Sequence, residues 1–101
     1  MDHRNYISDD IKDIYERNDL IKEAERLYTK EINADKNNAE NYIRRAYFYM
    51  RNGKNEKAIS DCKTAIKISP KNKTILTLAE MLINEAKSRM RKSGKYFKEI
   101  L

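Results

Sequence analysis

A chain of 101 residues with 22 basic and 16 acidic side chains, and a formal net charge of +6, has room for one domain with a modest core. Apolar residues make up 40% and charged residues 38%, a balance compatible with disorder if the apolar positions fell without order. Two glycines and one proline leave few breaks, which excludes a many-stranded sheet and favours long helices with short connections.

The spacing predicts helices over 8–17 and 20–34, with Tyr15, Ala24, Tyr28 and Ile32 on apolar positions. Asn38 is placed to cap a third helix over 39–52, in which Tyr42, Ala46 and Tyr49 fall at i, i+4 and i+7 and share one face. The alanine permits a neighbouring helix to approach closely. Asn52-Gly53 ends this helix, because glycine takes the left-handed conformation of a helix C-terminus without a Cβ clash. Asn55 is expected to cap the helix over 55–68, where Ala58, Ile59, Cys62, Ala65, Ile66 and Ile68 form a stripe. Pro70 ends it, and Asn72 opens a helix over 72–92 carrying Ile75, Ala79, Leu82, Ile83, Ala86 and Met90. Leu76, Leu78 and Met81 lie off that stripe and require cover. The candidates are the tail residues Tyr96, Phe97, Ile100 and Leu101, a second copy of the chain, or a partner.

These elements repeat. Sliding residues 5–38 onto 39–72 pairs Tyr15 with Tyr49, Arg17 with Arg51, Asn18 with Asn52, Ala24 with Ala58, Ile32 with Ile66 and Asn38 with Asn72, a period of 34 residues. The second unit resembles the tetratricopeptide repeat family: from Ala39 onward, Tyr42, Ala46, Tyr49, Gly53, Ala58, Ala65 and Pro70 stand at its signature positions. The first unit departs from the pattern, with Lys12 and Glu31 at small positions and Lys36 at the proline position, as an end repeat facing water can.

The resemblance implies an all-α fold: a right-handed α-solenoid of two helical hairpins plus a C-terminal capping helix. It is laid out as one domain with a degenerate repeat at 5–38, a second repeat at 39–72, the cap at 73–92 and a basic tail at 93–101. It also implies a noncatalytic adaptor or scaffold that holds a peptide or helix in a concave groove lined by the first helix of each hairpin. The lining positions give Tyr6, Asp9, Asp13 and Glu16, then Glu40, Ile43, Tyr47 and Met50, then Thr74, Thr77, Met81 and Asn84. Asp9, Asp13 and Glu16 make an acidic edge; Ile43, Tyr47, Met50, Met81 and Asn84 make the centre and far side. The other use of Ile43, Tyr47 and Met50 is packing against neighbouring helices. The family's clamp for acidic C-terminal peptides is not reproduced, since Asp9, Asp13, Arg44, Thr74 and Leu78 stand at its places, and two carboxylates would repel such a peptide.

Chemistry finds no foothold. The sequence has no glycine-rich phosphate loop, no paired metal-binding histidines and no Cys-x-x-Cys, so no catalytic residue, cofactor or metal is expected. One cysteine, Cys62, and one histidine, His3, cannot make a zinc site within one chain, and Cys62 reads as a small hydrophobe on the packing face. A reducing intracellular setting is expected, with no membrane span and no leader-like apolar segment after Met1. Asn72-Lys73-Thr74 fits a glycosylation sequon, but Asn72 already serves as a cap.

Charge supports a rival reading. Residues 1–38 carry a net −3, residues 39–72 a net +5 and residues 73–101 a net +4. Arg89, Arg91, Lys92 and Lys95, near Tyr96 and Phe97, could meet nucleic acid or another polyanion. A solvated helix end with cations complementing the helix dipole has the same pattern. Self-association is a third expectation, because so few repeats lie near the lower limit for an independent solenoid.

Overall fold

A computed structural model describes the backbone of residues 3–92 and the side chains of residue 14 and residues 16–92. The described residues form four helices: α1 (His3–Ala34), α2 (Ala39–Arg51), α3 (Asn55–Ile68) and α4 (Lys73–Lys92). The all-α expectation stands. One expected feature does not: in place of two hairpins and a cap, there is one hairpin, α2–α3, flanked by α1 and α4.

The first turn fails for a local reason. Gly53, with φ +76°, closes α2 by a paired C-terminal motif in which Lys54 N–H donates to the Tyr49 carbonyl (2.8 Å) and Gly53 N–H to the Met50 carbonyl (3.2 Å). One period earlier stands Asp19, whose Cβ disfavours that conformation. No glycine or proline occurs before Gly53, so helix propagates through 17–20, each residue adding one hydrogen bond at little cost. The expected helices 8–17 and 20–34 are thus one 32-residue helix.

Caps behave as their chemistry dictates in two of three places. The Asn38 side chain accepts from Glu40 N–H at 3.0 Å and Asn72 Oδ1 accepts from Ile75 N–H at 3.2 Å. Asn55 does not cap: the paired closure of α2 consumes the connection, Lys54 occupies the cap position with no side-chain bond, and Asn55 is already the first helical residue. Its Oδ1 is buried with no hydrogen-bond partner among the described residues.

The core sits between α2, α3 and α4. Ala46, Ala58, Cys62, Ala65, Ala79 and Ala86 are fully buried, so small side chains occupy the close approaches between helices. Ile43, Tyr49, Met50 and Ile75 fill the space around them, with Tyr42, Phe48, Ile59, Ile66, Leu82 and Ile83 partly buried at the margin. The tie to α1 is lighter. Ile32 is buried, Tyr28 meets Phe48 with ring centroids 5.2 Å apart, and Asn41 Nδ2 donates to the Glu31 carbonyl at 3.4 Å. Residues 16–20, more than a full turn of α1, are exposed on every side.

Candidate protein-binding surface

Two polar nodes hold the helices in register and so set which faces remain for a partner. In the first, Arg45 of α2 reaches Asp61 of α3 with Nε–Oδ2 at 2.7 Å and Nη2–Oδ1 at 2.8 Å, and its Nη1 donates to Thr29 Oγ1 of α1 at 3.2 Å. The bidentate fork matches guanidinium to carboxylate. Its bond to Asp61 raises the Arg45 pKa against the opposing effect of burial, so the cation is fixed. In the second node Glu25 of α1 accepts from Lys54 Nζ at 2.9 Å and from the Tyr49 hydroxyl at 3.3 Å, with Lys57 Nζ at 4.0 Å. The hydrogen bond from Lys54 holds the Glu25 carboxyl below its ordinary value. Lys54, Lys57 and Arg45 also surround the Tyr49 ring, 5.5–6.0 Å from its centroid, while burial raises the Tyr49 hydroxyl pKa.

The expected groove residues divide. Ile43 and Met50 are 8% and 5% exposed and belong to the core, which is the packing use. The reason is the short distance to α4: both lie in the cluster that includes Ile75, Ala79 and Ala86, and Arg89 Nη1 of α4 donates to the Met50 carbonyl at 3.4 Å. Tyr47 and Met81 remain exposed, at 49% and 62%, and Asn84 is exposed beside them on α4. Leu78 is 40% exposed. Tyr47 and Met81 stand one 34-residue period apart, at equivalent places on α2 and α4. Arg51 stacks over the Tyr47 ring with Cζ 5.6 Å from the centroid, so a basic group borders the aromatic ring, while Arg44 pairs with Glu40 at 3.6 Å.

Of the expected acidic edge, Glu16 is exposed on α1, while the side chains of Asp9 and Asp13 lie outside the described residues. Among the polyanion candidates, Arg89 is engaged by Glu85 at 3.0 Å and by the Met50 carbonyl. Arg91 and Lys92 are exposed in the last turn of α4, and Lys95 lies outside the described residues.

Sequence reasoning missed both nodes. Arg45 and Asp61 are 16 positions apart, and only the hairpin turn at Gly53 brings them together; the bordering of α2 by Glu25 needs α1 as well. It also missed a cleft of about 540 Å³ between the α2–α3 connection and the end of α4, bordered by Gly53, Asn55 and Met90. Among the described residues no group of three or more His, Cys, Asp or Glu side chains is placed to hold a metal ion, and no helix is long and apolar enough to cross a membrane. Residues 39–72 match the family model for the tetratricopeptide repeat. No curated protein and no solved structure matches the chain.

Proposed function

We propose that the chain is a noncatalytic adaptor or scaffold, since residues 39–72 match the model of the tetratricopeptide repeat, a family of generally noncatalytic protein–protein interaction modules. It binds a peptide or helix on the surface of α2 and α4. The observation that carries this reading is the exposure of Tyr47 and Met81 one period apart, with Leu78 also bare, on two helices whose other apolar side chains are largely consumed by the core. Large apolar side chains left in water beside satisfied charges are the usual anchors of a binding surface. Ile43 and Met50 support the surface from beneath and Asn84 supplies a hydrogen-bonding edge. Arg51 beside Tyr47 suits a partner with an apolar anchor and a nearby acidic group; Asp9, Asp13 and Glu16 orient a basic residue only where the first half of α1 lies alongside. Arg89, already held within the fold, lends little to the polyanion reading.

The test is capture from native lysate with the full chain as bait. Partners retained by the native chain and lost from Tyr47→Ala combined with Met81→Ala support the reading; equal capture by both refutes it. Helical content of the variant, measured by circular dichroism, should remain at the native level because both side chains are exposed.

A further inference from the structure

The helix face that α2 covers on α3 is left partly open on α1. Ala58 and Cys62 of α3 are fully buried beneath the hairpin. One period earlier, Ala24 and Tyr28 of α1 are only half-buried, and with Leu27 and Glu31 they border an open groove of about 290 Å³. Leu27 is 55% exposed there, and Leu20, about one turn before Ala24, is 68% exposed. In repeat order the element that should lie on this groove is 5–17, the counterpart of 39–51. It does not lie there in its own chain, because α1 continues unbroken through Asn18-Asp19 and carries that segment roughly 20 Å along the helix axis.

We propose that the groove is filled by residues 5–17 of a second copy of this chain, in a reciprocal exchange that makes a symmetric dimer. Complementarity between the two elements is written in the period. Arg45 and Asp61, the pair that binds α2 to α3, correspond to Ile11 and Leu27. An ion pair in the second unit is thus replaced by two apolar residues in the first, one on each element, and the Leu27 half is exposed to solvent. The departures at the small positions match in the same way. Ala46 and Ala65, both fully buried, correspond to Lys12 and Glu31, a cation on the incoming segment and an anion at the groove. The segment itself repeats Ile7, Ile11 and Ile14 at spacings of four and three, and Ile14 is 54% exposed.

A second copy is the occupant favoured over the chain's own segment because of the hinge. Folding back requires a turn at Asn18-Asp19 where the second unit uses Gly53 at φ +76°, and Asp19 has no such freedom. A connection that extends where its counterpart turns is the usual condition for exchanging an identical element between protomers. Two-fold symmetry then makes each groove contact twice.

Light scattering on the full chain at about 50 μM, well above the dissociation constant of a typical specific dimer, should give twice the 12.0 kDa of one chain. Leu27→Asp should halve that mass. Ile11→Arg added to Leu27→Asp should restore it by re-creating the pair seen between Arg45 and Asp61. A second measurement separates the source of the covering segment: with Cys62→Ala as background, coexpressed chains carrying either Ile11→Cys or Leu27→Cys are treated with a short bis-maleimide. A covalent dimer supports the exchange. A native chain of single mass overturns it, as does linkage confined to a single chain that carries both cysteines.

Discussion

Arg45 and Asp61 meet through two hydrogen bonds of 2.7 and 2.8 Å while a third, to Thr29, draws α1 into the same node. Both charges are largely removed from water, with side chains 18% and 7% exposed. Removing one partner leaves the other buried and unsatisfied. Asp61→Ala should therefore destabilise the fold by about 3 kcal/mol, read from the shift in urea midpoint at constant slope. Glu23→Ala, at the exposed pair with Arg26 (side chains 54% and 75% exposed), should change stability by less than about 1 kcal/mol. Equal losses at the two sites would contradict the structural weight placed on the node.

Glu25 sets the response to acid. Its carboxyl titrates below the ordinary value of 4.5 because Lys54 donates to it, with Lys57 and Tyr49 adding to the effect. A depressed native pKa means that the unfolded chain takes up the proton first as pH falls. The stabilisation is complete above about pH 4.5 and is lost as pH drops through the lower native value. Urea titrations at pH 7 and at pH 3 should show a smaller loss between the two for Glu25→Gln than for the native chain.

Cys62 is fully buried, and burial pushes its thiol up to about 11. Only the thiolate reacts with disulfide reagents, so at pH 8 the native protein should label at the rate at which it opens. Labelling should become rapid in urea past the unfolding midpoint. Fast stoichiometric reaction of the folded chain would show that the thiol reaches solvent and would contradict its place in the core.

The second repeat was legible almost residue by residue, because Ala46, Ala58 and Ala65 occur where helices approach closest, and Asn38, Gly53, Pro70 and Asn72 punctuate it through local backbone chemistry. The first unit was legible as a period but not as a shape. Asn18 matches Asn52, yet the turn depends on the residue after it, and Asp19 continues the helix where Gly53 breaks it. At the proposed binding surface, the family resemblance placed Tyr47 and Met81 on the groove together with Ile43 and Met50. It could not separate the two sets, since exposure is decided by how near α4 comes to α2, a distance not encoded at either position alone. Arg45 was not singled out, because its anion lies across the hairpin.

The Arg45 node bears on how the molecule comes apart. Because the Arg45 guanidinium is paired with Asp61 across the hairpin, parting α2 from α3 strands a charge on each helix, and opening there is penalised as a whole. Amides of α2 and α3 should therefore exchange with solvent together, as one cooperative unit. The hairpin is thereby a single welded block.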